Sequence, residues 1–136
     1  ELANTGAHPF PEPQMTALER VLADIMTRWP VRPERVIAHS DMAPDRKSDP
    51  GPHFDWRRLA RQGLSVWPNP GGAAEGDFFA HAARFGYTAE TDPDTLLAAF
   101  RLRFRPGADG PLATEDTAMA ADLARRFPVD RTGQSA

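Results

Sequence analysis

Cysteine is absent from the 136 residues, which excludes disulfide frameworks, thiolate metal sites and cysteine nucleophiles. The chain also lacks any run of about 18 apolar residues, the length that a membrane-spanning helix requires. A basic surplus is missing as well, because 16 Lys and Arg stand against 19 Asp and Glu, for a net charge of −3. This balance argues against a dedicated nucleic-acid-binding protein, and we expect no nucleic-acid partner.

What the chain does contain suits a small folded protein. Hydrophobic residues make up 40% of it, enough for a core and too many for a disordered chain. The 14 prolines and 10 glycines predict long turns and exposed connections. The segment 1–4 reads as the end of an apolar strand, so we expect a fragment or a processed chain.

Three elements are predicted in the first half of the chain. Apolar residues at helical spacing predict a core-facing helix over 15–28. Residues 35–38 are β-branched in the middle and predict a buried strand that delivers His39 at its end. Asp55 is expected to cap a further helix that runs through Arg61.

A shift in composition divides the chain. Residues 65–76 are rich in proline, glycine and alanine and are predicted to be a linker. Residues 77–130 have a helical pattern throughout. Asp77 is predicted to open the first of three short helices, and Gly86 is predicted to end it. We therefore predict one domain part over 1–64, a linker over 65–76 and a small all-α module over 77–130.

One helix of this module carries both apolar and basic residues. Phe100 and Phe104 lie four positions apart on one helical face and are predicted to belong to the core. Arg101, Arg103 and Arg105 are expected to form a solvated face instead of clamping a ligand.

The residues that carry chemistry lie in a proline-stiffened loop. His39 and Asp49 bring an imidazole and a carboxylate, both of which are good zinc ligands. Lys47 lies two positions before Asp49, where a held ammonium group stabilises an oxyanion. On spacing alone a second interpretation stays open, in which His39 ends a strand and Asp49 caps a loop.

The sequence of the whole segment is a more specific signal than the spacing of His39, Lys47 and Asp49 alone. It reads His39-Ser40-Asp41-Met42-Ala43-Pro44-Asp45-Arg46-Lys47-Ser48-Asp49-Pro50-Gly51-Pro52, continued by Phe54-Asp55-Trp56. This resembles the C-terminal signature of type 2 N-acetylmuramoyl-L-alanine amidases, the AmpD/AmiD group, with Ala38 for a glycine and Met42 for an isoleucine. The resemblance implies an α/β fold, a mixed sheet with flanking helices whose N-terminal part is missing here. It also implies a hydrolase that cuts the amide bond between N-acetylmuramic acid and L-alanine in peptidoglycan or muropeptides.

The resemblance assigns roles to individual residues. It makes His39 and Asp49 two of three Zn²⁺ ligands and Lys47 the stabiliser of the tetrahedral intermediate. Glu1 matches the family's glutamate at a strand end, which takes a proton from the zinc-bound water. The family's first zinc ligand is a histidine that precedes this glutamate. We therefore expect an upstream segment or a second chain to supply the third ligand, and an interface where the missing strands would pack.

The tail of the chain has its own resemblance. Phe85-Gly86-Tyr87, the run 99–106, Asp109-Gly110 and Thr114 resemble the three-helix peptidoglycan-binding module that is fused to amidases of the AmiD type. Arg101 stands where that module usually has a glutamine. This resemblance implies a peptidoglycan partner and a location in the bacterial cell envelope, in the periplasm or at the outer membrane, with the cytoplasm as the alternative.

Two functions therefore compete. The first is a zinc amidase that degrades cell-wall peptidoglycan or muropeptides. The second is a non-catalytic peptidoglycan-binding fragment with an incomplete zinc site, because zinc held by only two protein ligands is easily lost.

Overall fold

The computed structural model describes residues 1–72 and 74–130, and all regular elements in these residues are helical. In chain order they are α1 (Glu12–Arg28), a 3₁₀ helix (Pro33–Arg35), α2 (His39–Met42), α3 (Trp56–Arg61), α4 (Phe78–Phe85), α5 (Pro93–Phe104) and α6 (Thr114–Arg126). Within the same residues, no helix combines the length and the apolar character needed to cross a membrane.

The predicted α/β fold with a mixed sheet is wrong for the described residues, because they contain no strand. The segment predicted to be a strand, 35–38, begins in the 3₁₀ helix and continues as extended backbone. The dihedral angles are φ −80° and ψ 105° at Val36 and φ −114° and ψ 172° at Ala38. A strand needs a hydrogen-bonded neighbour, and no described segment pairs with this one. His39 is consequently the first residue of α2 and not the end of a strand.

Helix α1 begins at Glu12, three positions earlier than expected, because Pro11 at the N-cap and Pro13 in the first turn are favourable there. Its apolar stripe is only partly covered. Met15 is buried, whereas Val21 and Trp29 are 55% and 64% exposed. The prediction of a fully core-facing stripe is therefore wrong along one edge of the helix.

Two hydrophobic clusters form the core of the described residues. The first joins α4, α5 and α6, and it contains Phe100 and Phe104, which confirms the prediction for these two side chains. The second packs α1 against α3 through residues such as Met15 and Leu59. The Trp67 side chain packs against both clusters and so connects them.

The predicted domain boundaries stay predictions. Within the stretch predicted as a linker, Ser65 and Val66 are buried, and Ala73 lies outside the described residues. Residues 77–130 hold α4, α5 and α6, and α4 packs against α6.

Helix α4 begins where the sequence predicts. The Asp77 carboxylate accepts a hydrogen bond from the Ala80 amide at 2.9 Å, and Gly86 ends the helix with a φ of 146°. A left-handed conformation of this kind is accessible to glycine and strained for other residues. Both predicted ends of this helix are therefore confirmed.

The Asp77 cap allows a direct test. We expect Asp77→Ala to lower the free energy of unfolding by about 1 kcal/mol, because the Ala80 amide loses its acceptor. Asp77→Ser keeps a capping oxygen and should recover most of that loss. Urea denaturation of the three proteins checks this. Equal destabilisation by both substitutions would contradict the capping role.

Candidate metal and catalytic site

His39 and Asp49 meet at the start of α2. The His39 Nδ1 atom lies 2.7 Å from the Asp49 Oδ2 atom. The backbone also joins the two residues, because the Ser40 amide donates to the Asp49 carbonyl oxygen at 3.2 Å. The hydrogen bond from His39 holds the pKa of Asp49 below its ordinary value. Both side chains are more than half exposed, at 57% and 59%, so this hydrogen-bonded pair is open to a ligand from solvent.

Local hydrogen bonds shape the loop between these two residues. The Ala43 carbonyl oxygen accepts from the Arg46 and Lys47 amides at 3.0 and 2.9 Å. Gly51 closes the loop with a φ of 81°, and a Cβ atom there would lie 3.6 Å from the Gly6 carbonyl oxygen. The loop therefore packs closely on the N-terminal segment, which brings residues near the chain start to the His39–Asp49 pair.

All four residues that the resemblance singles out line one cleft of about 1390 Å³: Glu1, His39, Lys47 and Asp49. The positive charge of Lys47 contributes to the lowered pKa of Asp49, so the lysine acts electrostatically on the pair. The cleft also has an apolar lining, which includes Leu2, Phe10, Leu18, Leu22, Val36 and Met42. The roles of the four residues stay predictions, but a single cleft holds them.

The donor set fits part of a zinc site. His39 and Asp49 present the nitrogen and oxygen atoms that zinc prefers, already in contact with each other. A catalytic zinc site needs three protein ligands. Among residues 1–72 and 74–130, no group of three His, Cys, Asp or Glu side chains is placed to hold a metal ion. The described residues therefore offer two candidate ligands for such a site, and no third is placed beside them.

Asp41 holds α2 in place through its hydrogen bonds, a role that the sequence did not predict. Its Oδ2 atom accepts from the Ala38 amide at 2.9 Å, which caps the start of α2. The Tyr87 hydroxyl donates to Oδ1 at 2.5 Å, and the Arg103 Nη1 atom donates to Oδ2 at 3.1 Å. Only its position two residues after His39 marked Asp41 in the sequence, since its partners lie 46 and 62 positions away.

Arg103 is 2% exposed, so the prediction that it lies on a solvated face is wrong. Its Nη2 atom donates to the Val36 carbonyl oxygen at 3.3 Å and to the Ser65 hydroxyl at 3.2 Å. The guanidinium also stacks over the Trp56 ring at 4.2 Å from the centroid. Hydrogen bonds from the two terminal nitrogens and stacking replace much of the water that this cation loses on burial, whereas its Nε atom is buried without a hydrogen-bond partner among the described residues.

Tyr87 is the second partner of Asp41 from the C-terminal helical part. Burial, together with the negative charge of Asp41, raises the pKa of Tyr87 well above its ordinary value. The hydroxyl therefore stays protonated and remains a hydrogen-bond donor to Asp41 at all ordinary pH values.

Comparison with known proteins identifies relatives of similar sequence. The chain is 34% identical to N-acetylmuramoyl-L-alanine amidase AmiD of Escherichia coli K12 over 144 aligned residues, covering 90% of this chain and 51% of AmiD. It is 41% identical to 1,6-anhydro-N-acetylmuramyl-L-alanine amidase AmpD of Enterobacter cloacae over 59 residues, covering 43% of this chain and 32% of AmpD. The chain thus spans about half of one relative and about a third of the other.

Solved structures agree with these sequence matches. E. coli AmiD in complex with the substrate anhydro-N-acetylmuramic acid-L-Ala-D-γ-Glu-L-Lys superposes with a TM-score of 0.77 at 34% identity, covering 90% of this chain and 55% of AmiD. AmpDh3 of Pseudomonas aeruginosa in complex with an anhydromuramic pentapeptide also gives a TM-score of 0.77, at 30% identity over 90% of this chain and 56% of AmpDh3.

The family match covers the segment that carries all four candidate residues. Residues 1–52 match the family model described as N-acetylmuramoyl-L-alanine amidase. With the relatives AmiD and AmpD, this match shows that residues 1–52 belong to the N-acetylmuramoyl-L-alanine amidase family.

Proposed function

We propose that this chain forms part of a zinc-dependent amidase that hydrolyses the bond between N-acetylmuramic acid and L-alanine in peptidoglycan or muropeptides. The observation that carries the proposal is the contact between His39 and Asp49 on the wall of a cleft that Glu1 and Lys47 also line. The two solved neighbours are complexes with anhydromuropeptides, which supports the same substrate class here. We place the protein in the bacterial cell envelope.

Each of the four residues has one task in this proposal. His39 and Asp49, whose side chains contact each other, would hold the metal ion through an imidazole nitrogen and a carboxylate oxygen. A bound zinc supplies Lewis-acid activation of the scissile carbonyl and of water. The Lys47 ammonium stabilises the negative charge that develops on the carbonyl oxygen. The Glu1 carboxylate accepts the proton that the water loses and delivers it to the leaving amine.

The cleft suits a ligand that is part sugar and part peptide. Its polar residues lie on the α2 loop and at the chain start, and its apolar residues come from the N-terminal segment, α1, residues 36–42, residues 50–59 and Leu102. An apolar lining with a few convergent polar groups is typical of small-molecule sites. Carboxylate, imidazole and ammonium groups orient the amide, while the apolar residues contact the lactyl and alanyl methyl groups.

Zinc content and cleavage, measured together, test the proposal. The protein is purified from the open reading frame that contains this chain and dialysed exhaustively. We expect about one zinc per chain by elemental analysis. We also expect release of the free peptide from anhydro-N-acetylmuramic acid-L-Ala-D-γ-Glu-L-Lys, measured by mass spectrometry. A chelator should abolish both, and added zinc should restore both.

The two readouts separate the parts of the proposal. Cleavage that survives removal of the metal would contradict zinc dependence. Stable zinc without any cleavage of muropeptides or intact peptidoglycan would contradict the amidase reaction.

A second candidate function is binding without catalysis. The observation that favours it is the lack of a three-ligand group among the described residues. Such a protein would sediment with purified peptidoglycan, retain no zinc after dialysis and release no peptide. The same measurements therefore decide between the two functions.

A further inference from the structure

A buried polar cluster next to the candidate site connects α2 with the C-terminal helical part of the chain. It consists of Asp41 from α2, Tyr87 after α4, and Arg103 from α5, and all three side chains are buried. Tyr87 and Arg103 each donate to the Asp41 carboxylate, at 2.5 and 3.1 Å. Asp41 lies two positions after His39.

We propose that Tyr87 and Arg103 are positioning residues that fix His39 through Asp41. In this role the C-terminal helical part acts on the loop that carries His39 and Asp49. The functional significance of this placement rests on the proposed zinc amidase, because only there is His39 a ligand.

Helix α2 needs such support because it has only four residues. A helix of one turn is not stable by itself, since nucleation costs more than one hydrogen bond returns. Its start is fixed by the Asp41 carboxylate, which accepts from the Ala38 amide at 2.9 Å. That carboxylate is in turn buried, so protein donors have to replace the water it has lost. Tyr87 and Arg103 are those donors.

Arg103 holds the segment on both sides of His39. It donates to the Val36 carbonyl oxygen, three positions before His39, at 3.3 Å. It also donates to Asp41, two positions after His39, at 3.1 Å. Contacts before and after a residue restrict the direction of its side chain more than a single contact does. A shift of Arg103 would therefore tilt the His39 ring relative to Asp49.

A neighbouring ion pair provides a matched control. Arg101 lies two positions before Arg103 in the same helix, and it is also buried, with 6% exposed. It pairs with Asp116 of α6 at 2.6 Å and donates to the carbonyl oxygens of Gly110 and Pro111. None of these partners belongs to α2 or to its loop. A change at Arg101 perturbs the C-terminal helices without reaching Asp41 directly.

The test compares three conservative variants of the full chain: Tyr87→Phe, Arg103→Lys and Arg101→Lys. The ring ¹⁵N and ¹H chemical shifts of His39 report its position, and exchange of the Ala43 amide, which donates to the His39 carbonyl oxygen at 2.8 Å, reports α2. Thermal unfolding shows that each variant is folded. Tyr87→Phe keeps the aromatic ring in the core and removes only the hydroxyl.

We expect Tyr87→Phe and Arg103→Lys to move the His39 resonances and to speed Ala43 exchange about 10-fold or more. Arg101→Lys should leave both unchanged, even where it lowers the melting temperature equally. Unchanged His39 signals in Tyr87→Phe, or equal changes in Arg101→Lys, would overturn the positioning role.

These spectra need neither zinc nor substrate, so they separate this inference from the proposed function. In the zinc-loaded protein, Tyr87→Phe should also weaken zinc binding about 10-fold, as loss of a supporting contact does at other metal sites. His39 shifts that respond in a protein without zinc or cleavage would retain the positioning role and contradict the amidase. Zinc binding and cleavage in a protein whose His39 shifts do not respond to these substitutions would retain the amidase and contradict the positioning role.

Discussion

Replacing Lys47 with methionine is expected to lower kcat for muropeptide cleavage by about 10²- to 10³-fold, because the developing oxyanion loses its cationic partner. Methionine keeps most of the length of the side chain, so the cleft should keep its shape. Zinc should stay bound, since Lys47 is not one of the proposed ligands. Steady-state kinetics on anhydro-N-acetylmuramic acid-L-Ala-D-γ-Glu-L-Lys, with elemental analysis of the same sample, give both values.

Two further variants serve as comparisons for Lys47→Met. Asp49→Asn removes the carboxylate that contacts His39 at 2.7 Å, and it should reduce both the zinc content and the activity. Arg46→Met removes a neighbouring exposed cation that lines the same cleft and pairs only loosely with Asp45, at 3.9 Å. It should leave kcat within about two-fold of the parent value. A Lys47→Met protein that loses its zinc, or an Arg46→Met protein that is equally slow, would contradict the assigned role.

The pairing of His39 with Asp49 could be predicted because both residues lie in one short, proline-rich loop. The family signature fixes their spacing, and local turns within the loop fix their contact. The ends of α4 could be predicted for a similar reason, since Asp77 and Gly86 act on backbone groups within a few residues. Features that depend on near neighbours in the sequence are the ones that the sequence reveals.

Whether residues 35–38 form a strand could not be predicted from these residues alone. Their backbone is extended at Val36 and Ala38, as the β-branched pattern predicts, but a sheet also requires a second strand at hydrogen-bonding distance. No described segment provides one. Among the described residues, Val21 of α1 and Trp29 at its end are exposed as well.

The burial of Arg101 and Arg103 could not be predicted either. Arginine is rarely buried unless it is paired, and alternation of basic residues along a helix usually indicates a solvated face. The partners of these two side chains, Asp116 and Asp41, lie 15 and 62 positions away. Only the packing of α5 against both α6 and α2 brings them together. The consequence is functional as well as structural, because one of the two pairs lies under the candidate metal ligand.

Of these two pairs, the one at Asp116 should dominate the stability of the C-terminal helices. Its carboxylate is fully buried and accepts from Arg101 at 2.6 Å, Arg105 at 2.7 Å and the Ala113 amide at 2.9 Å. We expect Asp116→Asn to lower the free energy of unfolding by about 3–5 kcal/mol, because it leaves the Arg101 cation buried without its counter-ion. Urea denaturation at neutral pH measures this loss.

The pH dependence gives an independent check on the same carboxylate. Burial raises the pKa of Asp116, but hydrogen bonds from Arg101 and Arg105 outweigh burial and leave the pKa below its ordinary value of 3.8. A folded pKa below the unfolded one means that the stabilisation is complete above the unfolded pKa and is lost as pH falls through the folded pKa. The parent protein should therefore lose stability below about pH 4, and Asp116→Asn should lose less over that range.

Glu115→Gln is the matched control for this substitution. Glu115 is the exposed neighbour of Asp116 in the first turn of α6, so its replacement makes the same change in charge without touching Arg101. It should cost less than about 1 kcal/mol and leave the acid dependence almost unchanged. If Asp116→Asn proves as mild as Glu115→Gln, the ion pair with Arg101 does not hold α5 to α6. In that case aromatic packing of Phe78, Phe100 and Phe104 would be the main source of stability for these helices.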